Sequence, residues 1–152
     1  MEVCRRIIFV GKSGACREPM AAEIMKQFPL KYDIEILARG LVVLFPEPMN
    51  QKAEAVMIRN GIELEGFSSK QLTEEDITED TLILTMEKSQ RQRILDQYEN
   101  ANFEHIFVLT EFVGEELEIL DPYGGTLQNY GLCYETLRAT IKKLVRILNE
   151  GV

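Results

Sequence analysis

The 152-residue sequence has no tryptophan, a single histidine and only three cysteines. His105 and the widely spaced Cys4, Cys16 and Cys133 match no zinc-binding pattern, so no metal and no other cofactor is expected. Long apolar runs are also missing. Nothing approaches the ~20 residues of a membrane span, and the start "MEVCRRIIFVGKSG" lacks the apolar stretch and small-residue cleavage site of a signal peptide. The expectation is a cytoplasmic protein with no membrane partner. Positive charge is scarce, with 17 Lys and Arg against 25 Asp and Glu and a formal net charge of −8. Such a balance gives no broad footprint for nucleic acid, so no nucleic-acid partner is expected and any anion site must be local.

What is present is ordinary globular material, 45% hydrophobic and 28% charged, of a length suited to one domain over residues 1–152. Strand and helix patterns alternate almost from end to end. "RIIFV" (6–10) is a β-branched apolar run ending at Gly11, as in a buried parallel strand. "EPMAAEIMKQF" reads as a helix with Pro19 at its first position, where a missing N–H costs nothing. "DIEILA" (33–38) is a second strand, and "NQKAEAVMIRNG" a helix stopped by Asn60-Gly61. "LTEEDI" has the acidic first turn of a short helix. Strands at 80–86 and 105–110 follow, with the polar helix "SQRQRILDQY" between them. In "YETLRATIKKLVRILNE", Leu137, Ile141, Leu144, Val145 and Leu148 form one helical stripe. This order predicts an α/β fold of three layers: a four-stranded parallel, doubly wound sheet with helices on both faces. Ligands of such sheets sit at the carboxyl ends of the strands, where Gly11 lies.

The stretch "GKSGACR" begins at that end. Gly11, Ser13, Gly14 and Ala15 are small or flexible, so the backbone can curl into an anion cradle at a helix N-terminus. Arg17 offers a bidentate fork to a tetrahedral oxyanion, and Lys12 adds charge. A tight strand-to-helix turn accounts for the glycines equally well. A nucleotide-binding P-loop is excluded, because the motif requires glycine at position 6, which is arginine.

Together these segments resemble the low-molecular-weight protein tyrosine phosphatases, and in particular their bacterial, protein-arginine-phosphatase-like branch. That family carries a C-x5-R-S-P loop after its first strand, and "GKSGACREP" has its length with Arg17 and Pro19 in place. "GLVVLFPEP", "SSKQLTEEDI" and "DTLILTMEKS" follow in the family's order, and "DPYGG" (121–125) is similar to its general-acid loop. The resemblance implies a phosphatase I-like fold and a phosphate or phosphorylated protein as partner. It implies a phosphate loop of Gly11, Lys12, Ser13, Gly14, Ala15, Cys16 and Arg17, with Asp121 as leaving-group acid. Leu44, Phe45 and Tyr123 correspond to the family's pocket wall.

The departures matter more. The family's nucleophile is a loop cysteine that attacks phosphorus as a thiolate, and by register on Arg17 and Pro19 its position holds Gly11. The serine that helps stabilise that thiolate is replaced by Glu18. The loop asparagine and its bracing serine correspond to Gly14 and Ala38, and glycine keeps a left-handed turn without a brace. The resemblance therefore implies a pseudophosphatase that binds without hydrolysing. Residual or rerouted activity, or a scaffold role with a vestigial loop, are the alternatives. Cys16, next to Arg17, reads either as a packed thiol or as a reactive one. Ser13 has no nearby histidine to take its proton. Asp121 also reads as a turn residue, and Tyr123 as ordinary packing. Glu18 has two open poses: capping the helix, or pairing with Arg17 and filling the cradle.

Overall fold

Four apolar, β-branched segments fold into one parallel sheet of order β2-β1-β3-β4: β1 (Arg6–Gly11), β2 (Glu35–Gly40), β3 (Thr81–Thr85) and β4 (Ile106–Val108). The computed structural model describes residues 4–151. The register pairs Gly11 with Gly40 and Val10 with Thr85, so β1, β2 and β3 end at nearly the same level.

Alternation along β1 feeds two cores. Ile7 and Phe9 join the larger core with α1 (Arg17–Met25), α2 (Gln51–Arg59) and α5 (Leu127–Glu150). Ile8 and Val10 face the other way, onto Ile94 of α3 (Lys88–Gln97) and onto Leu72 and Ile77, which flank a 3-10 turn at Glu74–Asp76. A strand buried on both faces needs apolar residues at successive positions, which is why "IIFV" has no polar alternation. The larger core is closed by Leu137, Ile141, Leu144, Val145 and Leu148 of α5.

The four strands and the longer helices follow the expected order; the differences are their boundaries, one added short helix and one expected helix that is only a 3-10 turn. α1 starts two residues before Pro19, because the Cys16 carbonyl already accepts the Met20 N–H at 3.2 Å. Proline in the first turn still lacks only an N–H that would have no helical partner. β2 runs to Gly40, where small residues meet the loop. β4 stops at Val108, and the chain turns into α4 (Leu109–Phe112) instead of continuing to Thr110. α5 begins at Leu127 rather than near Tyr134, because the Thr126 hydroxyl caps it by accepting the Asn129 N–H at 3.2 Å. "LTEEDI" yields only a 3-10 turn, held by the Thr73 N–H donating to Asp76 Oδ2 at 3.0 Å.

Candidate functional site

The segment 11–16 leaves β1 and is tied down on three sides by backbone hydrogen bonds. Leu41 N–H donates to Gly11 O at 2.9 Å, Val42 N–H to Lys12 O at 3.0 Å, and Asn50 N–H to Ala15 O at 2.8 Å. Gly14 has φ +74°, and a Cβ there would lie 2.9 Å from Gly40 N; a Cβ on Gly40 would lie 2.5 Å from Ser13 C. Glycine is thus required at 14 both by the left-handed backbone and by the close approach of two main chains. The neighbour that faces Gly14 is Gly40, two residues beyond the Ala38 that the family register assigns as brace.

Beneath the loop lies Glu18, the first-turn carboxylate of α1, only 2% exposed. Its Oε2 accepts the Gly14 N–H. The side chain reaches back under Gly11 so closely that a Cβ there would lie 2.4 Å from Glu18 Cδ and 2.5 Å from Oε1. Of the two poses open in the sequence, the chain adopts cradle filling, with Gly14 N–H as partner instead of Arg17. Burial pushes the Glu18 carboxyl up to about 7, against the opposing pull of its backbone hydrogen bonds and of the Arg17 charge.

Arg17 is equally buried. One guanidinium nitrogen donates to Ile119 O at 2.6 Å, the other to Glu87 Oε2 at 2.5 Å, and Asp121 Oδ2 lies 3.8 Å away. Glu87 follows β3 and Ile119 precedes the 121–125 turn, so two separate connections hold one guanidinium at the strand ends. Sequence reasoning missed both partners. Glu87 had a faint signal as an acidic residue two positions beyond β3, at the sheet end where ligands bind; a main-chain carbonyl carries none.

An open pocket of about 380 Å³ sits over the loop, lined by Lys12, Ser13, Ala15, Cys16, Arg17 and Glu18 from the loop and by Glu47, Pro48, Asn50, Asp121 and Tyr123 opposite. The expected loop residues, Asp121 and Tyr123 are therefore brought together. Gly11 and Gly14 lie buried beneath that lining. Leu44 and Phe45 are not part of it: they stand 82% and 69% exposed, and Glu47, Pro48 and Asn50 form that wall. The chain rises from Leu41 through an irregular loop that carries 44 and 45 outward and returns at Asn50, whose side chain caps α2. Asp121 Oδ1 accepts the Tyr123 N–H at 3.0 Å, so it closes a turn while also facing the pocket. Lys52 of α2 donates to Gly125 O at 2.5 Å and fixes the far end of that turn.

The description "Low molecular weight phosphotyrosine protein phosphatase" matches residues 6–152. The chain belongs to this family. It is 34% identical over 143 residues to the low molecular weight protein-tyrosine-phosphatase PtpB of Staphylococcus aureus, covering 94% of this chain and 99% of that one. It is 32% identical over 146 residues to the protein-arginine-phosphatase of Geobacillus stearothermophilus, covering 94% and 95%. Among solved structures, the YwlE arginine phosphatase from Geobacillus stearothermophilus superposes with a TM-score of 0.87 at 30% identity, covering 97% and 94%.

In this phosphatase-family chain the thiols are poor nucleophiles. Burial, then the Glu18 charge, pushes Cys16 up to about 12, and burial pushes Cys133 up to about 11. Arg17 lowers both, but burial dominates. No group of residues able to hold a metal ion occurs among the described residues, and none of the described helices is long and apolar enough to cross a membrane.

Proposed function

We propose that this family member is a pseudophosphatase: it binds a phosphoryl group, free or on a protein, without hydrolysing it. In this reading Lys12, Ser13, Ala15, Cys16 and Arg17 receive the phosphoryl oxygens over Gly11 and Gly14. Arg17 supplies the fork, Tyr123 a wall, and Asp121 has kept the place of the leaving-group acid while serving as a turn residue.

The observation that carries the reading is the meeting of Gly11 and Glu18. Gly11 has no side chain to attack phosphorus, and the volume in which a side chain would start already holds the Glu18 carboxylate. A cysteine cannot be accommodated there while Glu18 keeps its pose. The remaining thiol at the pocket, Cys16, is held protonated far above neutral pH. The relatives' names, a protein-tyrosine-phosphatase and a protein-arginine-phosphatase, support a phosphorylated protein side chain as the ligand class.

The test is hydrolysis of p-nitrophenyl phosphate and of phosphoarginine by the purified protein, beside an Arg17→Ala control. The expected result is no turnover above that control. Turnover by the wild type that disappears in Arg17→Ala overturns the reading.

A further inference from the structure

The cradle of a phosphoryl-binding loop should be lined with donors, yet here one donor already has an anionic acceptor from within the chain. Among the described residues Glu18 is the only buried carboxylate; it lies under the loop and takes the Gly14 N–H. The positive charge beside it is spoken for: Arg17 is bound by Glu87 at 2.5 Å and faces Asp121 at 3.8 Å. An oxyanion entering above a charged Glu18 would meet carboxylates at 18, 47 and 121 in the pocket lining, where Lys12 is the cation with no acidic partner and the charge of Arg17 is already shared with Glu87. Glu18 is buried, so repulsion between its charge and an incoming oxyanion is screened far less than between groups in open water.

We propose that Glu18 is the resident ligand of the cradle, and that a phosphoryl or sulfate oxyanion binds only with uptake of one proton by the Glu18 carboxylate. The proposal rests on the pocket's binding a phosphoryl group and specifies how. The proton comes from solvent and stays on a carboxyl oxygen, no covalent bond among heavy atoms changes, and the neutral acid becomes a hydrogen-bond donor toward the incoming oxyanion. Glu18 then sets which form of the protein is competent to bind. Its position near neutral, about 7 when the cradle holds no other anion, makes this selection effective at ordinary pH.

The groups facing Glu18 are Arg17 on α1, Asp121 before α5, the thiols of Cys16 and Cys133, and Glu87 through Arg17. The thiols stay protonated through the neutral range, at about 12 and about 11. His105, the one histidine, opens the β4 side of the sheet and does not line the pocket.

Sulfate is the probe, because its own charge does not change between pH 5.5 and 8.5. Its affinity for the full-length protein is measured by titration calorimetry across that range, in two buffers of different ionisation enthalpy to count protons. The expected result is constant affinity with no net proton uptake below Glu18's titration, then a loss of about tenfold per pH unit above it, where proton uptake approaches one per sulfate. Glu18→Gln, the neutral isostere, should bind with no pH dependence and no proton uptake. Wild-type affinity that is constant with pH, or a slope that persists in Glu18→Gln, overturns this proposal and leaves phosphoryl binding standing. Absence of sulfate binding by both proteins at every pH overturns the binding reading and this proposal together. If Glu18→Gln does not fold, the proton count on the wild type decides alone.

Discussion

Gly11→Cys should destabilise this protein, and the cost should vanish when Glu18 is shortened. The backbone at Gly11 is not left-handed, so cysteine is not excluded by φ. The conflict is with a side chain: the new Cβ would lie 2.4 Å from Cδ, 2.5 Å from Oε1 and 2.8 Å from Cγ of Glu18. Forcing such an overlap in a packed interior costs about 1–3 kcal/mol. Swinging Glu18 away instead leaves the Gly14 N–H without its acceptor and a buried carboxylate without its donor, which costs about 1–3 kcal/mol as well. Replacing a strand-end glycine returns only about 0.5–1 kcal/mol in chain entropy. For a chain of this size the net loss corresponds to a fall in Tm of roughly 2–8 °C. In Gly11→Cys/Glu18→Ser the two changes fit one volume, so a double-mutant cycle should return a favourable coupling of about 1–3 kcal/mol. The assay is thermal unfolding of the four proteins at one pH, followed by circular dichroism and calorimetry. A Gly11→Cys protein as stable as wild type, or single-variant effects that simply add, would refute the packing argument.

Two more outcomes follow from the same burial. Glu18 titrates at about 7 in the folded protein against 4.5 for a free glutamate side chain, so the folded protein holds an extra proton between those limits. Stability should therefore fall as pH rises through that window, by up to about 3 kcal/mol, and level off above it. Glu18→Gln, which stays neutral, should lack this component, so its Tm should gain on wild type between pH 5 and pH 7.5; parallel curves would contradict the assignment. Cys16, held up to about 12, should react with iodoacetamide in the native protein at pH 8 far more slowly than a free thiol, and labelling at the free-thiol rate would refute its description as a buried, protonated side chain.

Much of the architecture was readable from residue order. "IIFV" and "LIL" are apolar at every position because β1 and β3 are covered on both faces, and α5 carries its stripe at the spacing that meets the sheet. The limits of elements were less readable, since they depend on partners distant in sequence. β2 ends at Gly40 because Gly40 faces Gly11 and Gly14, and α5 starts at Leu127 because buried Tyr130 and Cys133 outweigh the helix-weakening Gly131. In the site, Arg17, Asp121 and Tyr123 were legible as residue types at family spacing. The pose of Glu18 was not, because capping and filling use the same side chain; the choice is made by empty volume at Gly11 and by the Gly14 N–H. The pairing of Arg17 with Glu87 and with the Ile119 carbonyl was not legible for a similar reason: these contacts span 70 and 102 residues of sequence.

The central claim is that a phosphatase scaffold persists here with its nucleophile's place taken by Glu18. It is tested most directly by turnover of p-nitrophenyl phosphate in wild type, Gly11→Cys and Gly11→Cys/Glu18→Ser. The account predicts silence in wild type, little or no turnover in the single variant, and clear Arg17-dependent turnover in the double variant. Turnover by the wild type at a rate the double variant does not exceed would contradict it.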